Sequence, residues 1–201
     1  DGYSDDDEVA AGSDPFNPNS ILGTTTLSLN KGFNLVSFPA ETGYYGNMFN
    51  LMEVLGSSNV ISKILIFDPN SQIFNEVGYK ETGQFYGQNL SLTSGQVGLI
   101  IYAKQDATFT FTSKYCSTWN LKTGTNLVGT PCAPTDMTAF QLLKAIGDET
   151  VVSSIQRFNT DTGMFETAGY LNGQIVGVDF SMKAGEGYFI YMKKEVLGFK
   201  P

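Results

Sequence analysis

The first twenty residues, DGYSDDDEVAAGSDPFNPNS, hold six acids and no base: Asp1, Asp5, Asp6, Asp7, Glu8 and Asp14. Carboxylates at this density either stay hydrated or supply oxygen to a hard divalent cation, and spacing separates the two. A calcium loop of the EF-hand type takes oxygen ligands from positions 1, 3, 5, 7, 9 and 12 and a Gly at 6 for its sharp turn. With Asp1 at position 5, Gly2 falls at 6, the Tyr3 carbonyl at 7, Asp5 at 9 and Glu8 at 12, where a bidentate carboxylate belongs. An acidic stretch that merely stays hydrated needs neither that Gly nor that Glu. The first two ligands of such a loop would precede residue 1.

The rest of the chain offers less chemistry. Histidine is absent, which removes the commonest general base, the commonest transition-metal ligand and any Ser-His or Cys-His pair. Acids such as Glu53, Asp68, Glu76, Asp179 and Glu186 show no spacing that pairs them for glycoside hydrolysis. The glycines of GQNLSLTSGQVG lack the lysine of a phosphate loop and read as turns. Tyr44 and Tyr45 in TGYYGN are candidates for stacking on a sugar ring, whereas Trp119 suits a core position at the start of a strand. Two cysteines, Cys116 and Cys132, are sixteen positions apart. They are either buried thiols or a disulfide closing a loop worth about 3 kcal/mol, and the exported character of the composition favours the disulfide.

Charge is uneven. Residues 1–20 contribute −6 of the net −8 and leave a nearly neutral body rich in Ser, Thr, Asn and Gly. Its twelve scattered bases form no patch suited to nucleic acid. No stretch is long and apolar enough to span a bilayer. No signal peptide is visible either, so export requires a segment already removed or lying outside this chain.

The elements that must position these residues occur twice, about 91 residues apart. LNKGFNLVSFP (29–39) matches LKTGTNLVGTP (121–131), and MFNLMEVLG (48–56) matches AFQLLKAIG (139–147). ISKILIFDPNSQIFNEVGY (61–79) matches VSSIQRFNTDTGMFETAGY (152–170). GQFYGQNLSLTSGQVGLIIY (83–102) matches GQIVGVDFSMKAGEGYFIYM (173–192) without a gap. Gly32 and Gly124 precede NLV as tight turns, and Pro39 and Pro131 close the strands that follow. MFNLMEVLG and AFQLLKAIG each read as one short amphipathic helix, and KILIFD with IFNEV reads as a hairpin. LSL and FSM read as short strands before a long buried one, and ATFTFTS as a half-exposed strand. Each copy thus predicts about six strands and one helix.

The opening segment closely resembles a thrombospondin type 3 repeat, in the order DG, Asp, Glu, then GSDP and an Asn-Pro turn. The resemblance implies that Asp1, the Tyr3 carbonyl, Asp5 and Glu8 ligate calcium (Ca2+), with Asp14 as a further ligand. Asp6 replaces a frequent Gly, and Asp7 matches an acidic position. The body resembles modules of secreted prokaryotic surface proteins, which share a Gly-x-Asn-Leu-Val-x-x-Pro start and a Gly-x-Gly-Tyr-Phe finish. Gly124, Asn126, Leu127, Val128, Pro131, Gly185, Gly187, Tyr188 and Phe189 carry that likeness.

The sequence therefore predicts a mainly β (α+β) chain of the β-sandwich kind: a calcium-binding segment over 1–20 and two homologous β-rich modules over 21–115 and 116–201. The function expected is a non-enzymatic, extracellular structural or adhesive component of a cell surface or filament, which associates with itself or with other surface proteins. The alternative is a carbohydrate-binding accessory module of a larger secreted enzyme, with polysaccharide as the partner.

Overall fold

The computed structural model describes residues 4–11, 15–16, 20–40, 45–92, 98–116, 118–129 and 136–201. The first described elements are helix α1 (Asp5–Ala11) and strand β1 (Ser20–Leu29). Gly32, at φ +99°, turns it into β2 (Gly32–Ser37). That turn is fastened by Asn34. Its Oδ1 accepts the Asn30 N–H at 2.8 Å, and its Nδ2 donates to the carbonyls of Asn30 (2.7 Å), Gly32 (3.0 Å) and Ile101 (3.3 Å).

Helix α2 (Met48–Val54) starts at Asn47, whose Oδ1 accepts the Asn50 N–H, and it buries Met48, Leu51 and Met52. A further turn, α3 (Ser57–Val60), leads into β3 (Ile61–Asp68) and β4 (Ile73–Tyr79), with β5 (Phe85–Gly87), β6 (Gly98–Ala103) and β7 (Ala107–Tyr115) after them. All neighbouring strands are antiparallel, in the sheet order β2-β6-β3-β4-β5, with β1 and β7 as a separate pair. The apolar phase of these strands, including Ile64, Ile66, Val77, Leu99 and Ile101, meets α2 and Phe38 in one core.

The second half repeats this order. It comprises β8 (Trp119–Leu121), β9 (Gly124–Gly129), α4 (Ala139–Ile146), β10 (Val152–Asn159), β11 (Met164–Leu171), β12 (Gln174–Gly177), β13 (Gly187–Met192) and β14 (Val196–Phe199). Its sheet runs β9-β13-β10-β11-β12, with β8 and β14 paired beside it. Helix α4 carries a capping box between Thr138 and Gln141 and buries Ala139, Leu142, Leu143 and Ile146 in a second core. The chain is thus mostly β, with two five-stranded modules.

The expected helices and hairpins form where the periodicity places them, with differences of detail. Residues 5–11 form a helix that the sequence reading does not include, and α3 extends the first module's helical region. LSL and FSM are not strands. Each makes one bridge, Asn47 to Ser91 and Thr138 to Ser181, that pins the residue capping the helix. Short strands lie earlier, at FYG and QIVG. The ungapped match of 83–102 onto 173–192 also slips. Ile64 pairs with Ile101 and Ile155 with Ile190, an offset of 89, so Gly98 corresponds to Gly187. A one-residue slip would turn the whole strand inside out, and burial of the Ile pair decides the register.

The two sheets meet through β2, β3 and β6 on one side and β9, β10 and β13 on the other. The packing is reciprocal. β2 touches β13 and β10 as β9 touches β6 and β3. Leu35, Phe67 and Ile100 are buried yet belong to neither core, because the other module covers them. Phe33 sets its ring against Phe158, with centroids 4.7 Å apart. Gly187 lets backbone approach backbone, since a Cβ there would lie 2.9 Å from the Val36 carbonyl oxygen. At Gly98 the same atom would lie 2.8 Å from Leu127. The Ser37 N–H closes the contact by donating to the Gly185 carbonyl at 2.9 Å. The Gly-x-Gly-Tyr-Phe finish is therefore an inter-module lock.

Candidate metal centre and the rival clefts

In α1, Asp5 opens the helix and Glu8 follows one turn later, on the same face. The Glu8 N–H donates to the Ser4 carbonyl at 3.0 Å, which begins the helical ladder. Asp5 and Asp6 are exposed, whereas Glu8 is only 3% exposed. A carboxylate drawn out of water requires hydrogen bonds or a cation beside it. Asp5 and Glu8 thus fit a hard, oxygen-seeking cation and would supply two of its ligands. Asp1, Tyr3 and Asp14 lie outside the described residues. Among the described residues no three His, Cys, Asp or Glu side chains gather closely enough to hold a metal.

Residues 1–18 match the bacterial TSP3 repeat. TSP3 repeats are a calcium-binding type associated with extracellular proteins. No curated protein and no solved structure matches the chain. The TSP3 segment therefore carries the comparison alone, and the two β modules must be read from their own geometry.

The other expected site residues divide. Tyr44 lies outside the described residues. Tyr45 packs against the first core, its ring edge-on to Phe38 at 5.5 Å. Cys116 is half-buried and has no free thiol, while its expected partner Cys132 lies outside the described residues. Trp119 is buried in the second core, with Nε1 donating to the Gly129 carbonyl at 3.2 Å.

A cleft of about 490 Å³ runs between the modules beside Asp68, Asn70, Asn120, Lys122 and Asn126. Several of its polar groups are engaged. Asp68 accepts from Asn70 and Ser71, Asn120 accepts from Gly198, and Lys122 pairs with Glu195. Asn126 repeats the role of Asn34, accepting from Lys122 and donating to the carbonyls of Lys122, Gly124 and Ile190. The shared Asn of the Gly-x-Asn-Leu-Val motif is accordingly a turn fastener.

Two carboxylate networks escaped the sequence reading. Glu76 accepts from Lys63 and from the Tyr86 hydroxyl, each at 2.8 Å. The Lys63 ammonium holds the Glu76 carboxyl below its usual range. Burial, with Glu76 alongside, pushes Tyr86 up to about 12. Glu166 is lowered by Asn159 and then by Arg157, whose Nε lies 2.7 Å from it. Burial raises Tyr188 strongly, beside Glu186. The signal for the first network was present in the aligned copies: Lys63 and Glu76 stand opposite Ser154 and Thr167, a charge pair against two hydroxyls.

Proposed function

We propose that this chain is a non-catalytic, calcium-stabilised component of an extracellular surface, built from a duplicated module and working by contact with its own copies or with other surface proteins. The observation that carries this reading is the TSP3 match over residues 1–18. The turn of α1 that places Asp5 and Glu8 on one face, with Glu8 drawn inward, supports the same segment as a cation site. When bound, calcium would supply the positive charge that lets crowded carboxylates hold one conformation. The chain has no histidine, and Glu76 and Glu166 are pulled down by their partners. A general acid at neutral pH needs the opposite shift. These features support a scaffold.

Calorimetric titration with calcium tests the site. Glu8→Gln removes a ligand oxygen and should weaken binding sharply; unchanged affinity removes Glu8 from the ligand set. Light scattering and negative-stain imaging with and without calcium test assembly. A monodisperse monomer under every condition would sink self-association. The second reading, an accessory carbohydrate-binding module, is favoured by one specific surface of the second sheet.

A further inference from the structure

The face of each sheet turned away from its helix carries the same ladder positions with different chemistry. In the first module, Lys63 stands opposite Gly78 and Tyr102, and Gly78 opposite Tyr86. In the second, Ser154 stands opposite Gly169 and Tyr191, and Gly169 opposite Val176. Thr167 replaces Glu76 on the adjoining rung.

On the first face these groups are all engaged with one another. Lys63 is bonded to Glu76 and lies 4.8 Å from the centre of the Tyr102 ring. Tyr86 bonds to Glu76 and lays its ring on Gly78, where an added Cβ would come within 2.5 Å of it. On the second face, Ser154, Gln156, Thr167 and Tyr191 make no side-chain hydrogen bond with any described residue. Tyr191 is 51% exposed. A groove of about 220 Å³ opens beside it, lined by Thr125, Ser153, Ser154, Gln156 and Phe189.

We propose that this groove binds a neutral glycan, with one sugar ring stacked on Tyr191 and its hydroxyls bonded by Gln156 and Ser154. Among the described residues no charged side chain lines it, so an ionised group placed there would lose water without gaining a partner. Hydroxyls and a primary amide each donate and accept, as sugar hydroxyls do. Tyr191 adds a flat apolar surface with a polar tip. The volume lies below the roughly 300–1,000 Å³ of pockets that enclose a whole small molecule, so it suits one ring of a longer chain. The site rests on and deepens the second, carbohydrate-binding reading above, and it requires neither calcium nor self-association.

The test is binding of the full chain to an array holding neutral and uronic-acid glycans, with and without calcium. Retention on neutral glycans is expected in both conditions. Tyr191→Ala should lower affinity by roughly tenfold or more with the melting temperature unchanged, and Tyr191→Phe should keep most of it. Ser154→Lys with Thr167→Glu fills the groove as the first module fills its own, and should abolish retention. The proposal is overturned if no neutral glycan is retained, if acidic glycans are preferred, or if Tyr191→Ala binds like the parent. None of these outcomes bears on the Glu8 titration.

Discussion

Gln72, in the β3–β4 turn of the first module, grips the backbone of Thr125 in the second. Its Nε2 donates to the Thr125 carbonyl at 3.0 Å, and its Oε1 accepts the Thr125 N–H at 2.8 Å. A side-chain amide thereby takes the place of a neighbouring strand along the exposed edge of β9. Gly124 makes room for it, because a Cβ there would come within 2.6 Å of Oε1. Gln72 holds φ +58° to do this, at a position where the second module has Gly163 at φ +68°. The left-handed backbone costs a non-glycine residue about 1–2 kcal/mol, close to what two exposed hydrogen bonds return. Gln72→Ala keeps the strain and loses the bonds, so it should destabilise by about 1 kcal/mol. Gln72→Gly loses both and should be nearly neutral. Exchange of the Thr125 amide should quicken in both variants. Unchanged exchange would show that the grip does not hold in solution.

Asn34 and Asn126 make a parallel prediction. Each fills four hydrogen bonds at a buried turn, which engage its side-chain amide even though a cleft runs beside it. Truncation to Ala leaves buried carbonyls without donors and should cost about 2–4 kcal/mol at either site. Asn→Asp keeps the acceptor but points a carboxylate at three carbonyl oxygens, so it should be worse at neutral pH than at acid pH. Denaturant unfolding of the four variants checks this. A loss at only one site would break the equivalence of the two turns.

That equivalence was legible in sequence because turns and helix caps depend on local chemistry. Gly32-x-Asn34 and Gly124-x-Asn126 repeat with their neighbours intact, and the periods of 48–56 and 139–147 mark α2 and α4. Packing between modules was harder to read. Phe33, Phe67, Phe158 and Phe189 occupy the phase of their strands opposite the core, so these strands are apolar on both faces, as strands covered on both sides are. Composition shows that coverage is needed but not what supplies it. The slip to an offset of 89 was hidden because the last strands are apolar in either register. At the candidate sites, spacing marked Asp5 and Glu8 but could not show Glu8 drawn inward. Tyr45 reads from the sequence as loop surface, yet its ring sits against Phe38 in the first core. Tyr191 was passed over because it lies in a run that otherwise reads as buried.

The Lys63–Glu76–Tyr86 network should leave a signature at both ends of the pH scale. Glu76 has a lowered folded pKa, so its contribution is complete above its unfolded value and is lost as pH falls through the folded one. The pair is one-third exposed, which limits that contribution to below about 1 kcal/mol. Lys63→Met should flatten the acid limb of stability against pH. Tyr86 is raised to about 12, so its contribution is present below the ordinary tyrosine value near 10 and is lost as pH climbs through the folded one. Phenolate absorbance should show one tyrosine ionising near 12, and Glu76→Gln should bring it down. Tyr188 is also raised by burial and should ionise late in both proteins, so a titration near 12 that Glu76→Gln leaves unmoved, or its absence in the parent, would mean that the network is open in solution.

Cys116 lies where the chain leaves β7 for β8, and its expected bond to Cys132 would enclose β8 and β9 in one loop. A loop of this length restrains the unfolded chain by about 3 kcal/mol. Trp119 is the only tryptophan and is buried in the second core, so its fluorescence follows that module. Cys116→Ser with Cys132→Ser, or reduction of the parent, should move the Trp119 transition to lower denaturant and leave amide exchange in the first core largely as it was. Non-reducing mass spectrometry should find the parent two hydrogen atoms lighter than its reduced form. A Trp119 transition indifferent to reductant would remove the bond from the account of this module's stability, and the reciprocal packing on β2 and β6 would then have to restrain β9 without it.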